Sequence, residues 1–132
     1  MTPTTKYVKG RAIEYKVAAF LKGKGYAVTR AAGSKGVFDV IAYNGRVVRF
    51  IQVKLTAKRN INQYKIELDS IFDTPVPESF CTRELWVYVH NIGFTDAIFV
   101  GMPPMDYSTA AEHEHWYIAG QLTVVKWQRI NL

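Results

Sequence analysis

The sequence predicts a single α/β domain. Three observations carry that expectation: a helical repeat of apolar residues near the N-terminus, two β-rich runs on either side of an Asn-Gly dipeptide, and a strand-rich C-terminal part. With 132 residues, 48% of them hydrophobic, the chain is long enough for one sizeable core and too short for two ordinary domains. The expected organisation is one unit over residues 1–132, with an N-terminal core part at about 6–58 and a β-rich part at about 84–128. Half-apolar composition excludes a disordered tail, and no apolar run approaches the ~20 residues that a membrane helix needs. Residues Met1 to Lys6 lack the apolar centre of a signal peptide, and the lone Cys81 has no internal disulfide partner. A reducing cytoplasm is therefore the expected compartment.

Ile13, Val17, Phe20 and Leu21 recur at helical spacing, so a first helix is expected from about Lys6 to the stop signals Gly23 and Gly25. Glu14 lies at the margin of its apolar stripe, on the side of Ala18 and Leu21, half turned toward the core. Tyr26 to Arg30 reads as a short strand, and the small-residue run Ala31 to Gly36 as a loop. Val37 to Tyr43 and Arg46 to Lys54 then read as two strands joined by Asn44-Gly45, the dipeptide that favours a type I′ turn. A two-residue loop would put Asp39 opposite Phe50, with Asp39, Gln52 and Lys54 on one face and the Asp39 and Gln52 Cβ atoms up to roughly 7 Å apart. Asn60 is a plausible N-cap for a second amphipathic helix marked by Ile61, Tyr64, Leu68, Ile71 and Phe72, ending before Pro75. Strands are expected at Leu85 to His90, Ala97 to Val100, Trp116 to Ala119 and Leu122 to Trp127.

Charge divides the chain. Residues 1–59 hold thirteen Lys or Arg against two acids, a net +11, whereas residues 60–132 carry a net −5. Such asymmetry fits a polyanionic partner, nucleic acid before membrane, because the cations are spread over several elements; a solubilising surface is the competing explanation. The two acids of the basic half, Glu14 and Asp39, matter more than the cations. Divalent-metal phosphodiester cleavage needs hard oxygen ligands and a cation near the attacking water or scissile phosphate. Asp39 offers a carboxylate, Gln52 an amide oxygen, Lys54 an ammonium and Glu14 a second carboxylate. Singly, Asp39, Glu14 and Lys54 each read more readily as a solvated or paired charge; jointly with Gln52 they form a pattern, and Asp between Phe38 and Val40 is disfavoured inside a strand.

Lys9-Gly10 leading to Glu14, Arg30, the run Gly33 to Ala42 and Ile51-Gln52-Val53-Lys54 resemble the archaeal-type Holliday junction resolvases (Hjc) of the PD-(D/E)XK nuclease superfamily. The resemblance spans about Lys6 to Lys58. It implies a restriction-endonuclease-like mixed β-sheet flanked by helices, a homodimer, Mg²⁺ dependence with Mn²⁺ able to substitute, and symmetric nicks in opposed strands of a four-way junction. By matching positions it implies catalytic roles for Glu14, Asp39 and Lys54, a place for Ser34 in a mobile catalytic loop, and DNA contact by Arg30. On that basis Asp39, Gln52, the Val53 carbonyl and Glu14 are expected around the metal, and Lys9, Arg11, Arg30, Lys35 and Lys58 on the DNA. The family normally carries Glu where this chain has Gln52, which removes one negative charge and leaves Lys54 without an immediate anionic neighbour. The β-rich part beyond about Leu85 does not match clearly.

Other signals are weaker. Glu112-His113-Glu114-His115 reads as a polar lead-in to Trp116, short of the four ligands of a structural zinc. Tyr7, Tyr64, Trp86 and Trp127 could stack on unpaired bases, although aromatics at such spacing more often fill a core. No P-loop, dinucleotide fingerprint or nucleophile elbow is present, and neither a small-molecule cofactor nor a membrane is expected. The rival functions are a sequence-specific homing or restriction-type endonuclease and a non-catalytic DNA-binding protein with a decayed site.

Overall fold

In a computed structural model, described over residues 6–30, 36–77, 79–101 and 108–124, seven strands form one mixed sheet in chain order. The strands are β1 (Ala27–Arg30), β2 (Val40–Tyr43), β3 (Val48–Thr56), β4 (Cys81–Val89), β5 (Gly93–Val100), β6 (His113–Ile118) and β7 (Gln121–Val124). Helix α1 (Lys6–Gly23) precedes the sheet, and α2 (Lys65–Asp73) crosses between β3 and β4. That crossover makes the β3–β4 pair parallel, as β5–β6 also is; the remaining pairs are antiparallel. No helix is long and apolar enough to cross a membrane among the described residues. The predicted α/β class, a mixed sheet flanked by helices, is what forms.

Alternation along the strands splits the core in two. Val17 and Leu21 of α1 pack on Val40, Ala42, Ile51, Trp86 and Ala97. On the other side, Tyr64, Leu68 and Ile71 pack on Leu85, Val87, Val89, Ile98 and Val100. Since Trp86 and Leu85 are sequence neighbours on β4, and Ala97 and Ile98 on β5, the helices cover opposite faces. Tyr64 and Trp86 are both core residues, not base-stacking platforms.

Several local expectations shift. The β2–β3 connection is four residues, not two: Tyr43 pairs with Val48, and the Asn44 side chain accepts hydrogen bonds from the Arg46 and Val47 N–H groups. Gly45 supplies the positive φ of 86° that this turn requires. The pairing moves by two residues, so Ile41, rather than Asp39, faces Phe50. A two-residue shift preserves the face of every side chain. Asp39 lies in a bend just before β2, which removes the conflict of an acid inside a strand. The second helix is preceded by a 3₁₀ turn, Ile61–Gln63, which Asn60 caps by accepting from the Asn62 N–H. Strands β4 and β5 begin several residues earlier than the pattern implied. The Glu112 to His115 segment is not merely a polar lead-in, because β6 starts at His113 and buries Glu114 and His115. Trp127 lies outside the described residues.

On the α1 face, Arg49 is fully buried and its Nε and Nη2 donate to the two oxygens of Glu84 at 2.8 and 2.7 Å. Trp86 Nε1 donates to Glu84 at 3.0 Å, and the Thr82 hydroxyl also donates to it. This bridge ties β3 to β4 through side chains. Glu84→Ala is expected to lose about 3–5 kcal/mol of unfolding free energy in urea denaturation, because it strands a buried guanidinium charge.

Candidate metal and catalytic site

The β-sheet ladder changes character at Asp39. Its N–H donates to the Ile51 carbonyl at 2.9 Å, and its carboxylate, in place of a backbone carbonyl, accepts from the Val53 N–H at 2.8 Å. One carboxylate oxygen is thus fixed by β3, and the other, Oδ1, has no hydrogen-bond partner among the described residues. Burial raises the Asp39 pKa, partly offset by the Val53 N–H. Continuing the β2–β3 pairing by one residue puts Gln52 opposite Asp39. Gln52 Oε1 is buried and accepts no hydrogen bond among the described residues. A buried amide oxygen without a donor is costly, and it is the kind of atom that a hard cation satisfies.

Glu14 reaches this region from α1. Burial raises its pKa first, the nearby Asp39 charge raises it further, and Arg30 opposes both. The Arg30 guanidinium lies 3.4 Å from Glu14 and stacks over the Tyr15 ring at 4.0 Å. Arg30, expected on DNA, is here a largely covered partner of Glu14. Val53 contributes its N–H to Asp39 in this arrangement. Arg11 and Lys58 are exposed, the first on α1 and the second just after β3. Lys9 belongs to α1, with its side chain outside the described part; Ser34 and Lys35 lie outside the described residues altogether.

Lys54 is not without an anionic neighbour. Its Nζ lies 3.1 Å from Glu67 Oε1, on the first turn of α2. Sequence reasoning missed Glu67 because the contact joins a strand to a helix on the far side of a crossover. A second network escaped for the same reason. Asp96, fully buried on β5, accepts from Arg59 Nε and Nη2 at 2.9 Å each and from Thr95 Oγ1 at 2.7 Å, and lies 2.7 Å from His115 Nε2. Burial alone would raise the Asp96 pKa, but its bonds to His115, Arg59 and Thr95 hold it well below the usual carboxylate range. No group of three or more His, Cys, Asp or Glu side chains suited to a metal occurs among the described residues. Glu14 and Asp39 provide two carboxylates, and Gln52, opposite Asp39 in the middle of β3, adds an amide oxygen.

The archaeal Holliday junction resolvase (Hjc) family profile matches residues 5–73 of the chain. A solved structure of Archaeoglobus fulgidus Hjc, a Holliday junction resolvase from an archaeal hyperthermophile, is similar over 66% of this chain and 70% of that chain, at 20% sequence identity and a TM-score of 0.47.

The raised Asp39 pKa makes its charge a stability cost. A carboxyl whose folded pKa exceeds its unfolded value of about 3.9 destabilises the fold above the folded pKa, and the penalty disappears as pH falls below the unfolded value. Asp39→Asn keeps an oxygen for the Val53 N–H and removes the charge. Its thermal midpoint at pH 7 is expected to rise on the order of a degree or two, since partial exposure screens the charge. The gain over wild type should close as the pH approaches 4, which melts at several pH values will check.

Proposed function

Because the chain belongs to the archaeal Holliday junction resolvase family, matched over more than half its length, we propose that it is a metal-dependent endonuclease that resolves four-way DNA junctions by paired symmetric nicks. The observation that carries the metal site is the unsatisfied, buried Gln52 oxygen in the middle of β3, where the β2–β3 pairing ends and Asp39 is fixed. Asp39 Oδ1, Gln52 Oε1 and the Val53 carbonyl would hold Mg²⁺ or Mn²⁺, with Glu14 nearby. A divalent cation there neutralises and polarises the phosphate under attack.

This chain's own residues account for the remainder. Val53 fixes the Asp39 carboxylate, so little reorganisation is needed when a cation and phosphate arrive. Arg30 offsets the repulsion between Glu14 and Asp39. Lys54 supplies a positive charge for the attacking water and for the charge growing on the phosphoryl oxygens. The exposed Arg11 and Lys58, with Lys9, Ser34 and Lys35, would hold the flanking backbone, and Arg30 would turn to it when DNA enters. Each chain carries one such site, so two opposed nicks call for two copies, and a homodimer is the simplest assembly that supplies them. Branched DNA is the proposed partner and the cytoplasm the proposed setting.

With Mg²⁺, the protein is expected to cut a synthetic four-way junction and supercoiled cruciform DNA, and to leave linear duplex intact. Asp39→Asn and Lys54→Ala should each abolish cutting, with junction affinity within about threefold of wild type, because binding rests on many phosphate contacts and catalysis on few residues. Equal cutting of linear duplex would transfer the site to a homing or restriction-type enzyme. Binding without cutting would make the protein a non-catalytic DNA binder.

Gln52→Glu supplies a full charge where the amide supplies a dipole, so the Mg²⁺ concentration for half-maximal cutting should fall by about tenfold, whereas Gln52→Ala should raise it or abolish cutting. An unchanged midpoint in Gln52→Glu, with unaltered melting, would remove Gln52 from the metal site.

A further inference from the structure

Lys54 projects from β3 on a flexible four-carbon stem, on the face that α2 covers. Two residues earlier on the same face stands Gln52, an uncharged amide, so the strand itself offers the ammonium no anion. Asp39 has one oxygen fixed by the Val53 N–H and forms no ion pair with Lys54 among the described residues. The anion that Lys54 meets comes from another element, Glu67 on α2, at 3.1 Å.

A surface ion pair of this kind ordinarily contributes little, and geometry alone would not make it functional. Glu67 has a second property. Its other oxygen, Oε2, is buried and has no hydrogen-bond partner among the described residues. A carboxylate held with one oxygen on a lysine and the other desolvated is costly, and an uncharged side chain would pack on this face without that cost. Among the described residues its negative charge meets one cation, the Lys54 ammonium.

We propose that Glu67 is the positioning residue for Lys54, holding the ammonium in place on a strand that, with the uncharged Gln52, offers it no anion of its own. The inference rests on the nuclease reading above. Glu67 touches neither phosphate nor metal; it acts by restricting the lysine stem and keeping its charge at one point, so that its loss slows bond cleavage without weakening DNA binding.

The test compares wild type, Lys54→Ala, Glu67→Gln and Glu67→Asp on a synthetic four-way junction with saturating Mg²⁺ under single-turnover conditions. Junction affinity, thermal melting and the rate at which an amine-directed acylating reagent modifies Lys54, read by mass spectrometry, are measured alongside. Glu67→Gln is expected to cut at least tenfold more slowly, to bind the junction within twofold of wild type, and to expose Lys54 to several-fold faster acylation. Glu67→Asp should recover part of both effects. If wild type cuts and Glu67→Gln cuts within twofold of it, the proposal is overturned while the nuclease reading stands. The proposal is equally overturned if Glu67→Gln is slow but Lys54 acylation is unchanged and melting has dropped, since the effect would then be one of folding. If wild type cuts no junction or duplex, the nuclease reading itself fails and the role given to Glu67 falls with it.

Discussion

Strand β3 is hydrogen-bonded on both edges, antiparallel to β2 and parallel to β4, and this double pairing is the constraint from which the site follows. With both edges fixed, strand alternation leaves no freedom in where side chains point. Arg49, Ile51 and Val53 lie toward α1; Phe50, Gln52 and Lys54 lie toward α2. The Arg49–Glu84 bridge adds a side-chain tie to the same pair of strands, fully buried, so that slippage of β3 against β4 would strand two charges. Gln52 and Lys54 therefore stand as a unit just past the point where the β2–β3 pairing ends. Asp39 joins them by a carboxylate-to-backbone bond that ends the β2–β3 ladder.

The acidic half of the chain gains a purpose from this arrangement. Asp96 on β5, itself bonded to His115 on β6, accepts two hydrogen bonds from Arg59 just after β3 and so clamps it. Arg59 follows the exposed Lys58, so the clamp fixes the segment that carries one of the cations proposed to touch DNA. Glu67 does the same for Lys54 from α2. The basic half thus supplies the groups directed at a polyanion, while the acidic half supplies the groups that hold some of them in place. Burial raises the Asp39 pKa and leaves the Gln52 oxygen without a hydrogen-bond partner among the described residues, costs that a cation held at this point of β3 would offset.

Much of this was legible in the residue pattern, because the signals were local. The helix over Lys6–Gly23, the pair of strands around Asn44-Gly45 and the shared face of Asp39, Gln52 and Lys54 follow from periods of 3.6 and 2. The turn length was not legible: Asn44 satisfies two backbone N–H groups through its side chain, which stabilises a four-residue connection that the dipeptide alone does not announce. The partnership of Lys54 with Glu67, and of Arg59 and His115 with Asp96, depends on how α2, β5 and β6 fold back, and no spacing in the chain encodes it. The buried His115 was invisible for the same reason, its partner Asp96 lying nineteen residues away on the neighbouring strand.

Paramagnetic Mn²⁺ reports most directly on whether Asp39 and Gln52 form a cation site. In two-dimensional amide spectra of the intact protein, substoichiometric Mn²⁺ is predicted to broaden the signals of residues 39–40 and 52–53 first, and Asp39→Asn to abolish that selectivity. Broadening that begins at the acidic residues of α2, such as Asp69 and Asp73, or that spreads evenly over the surface, would contradict a cation site built on Asp39 and Gln52.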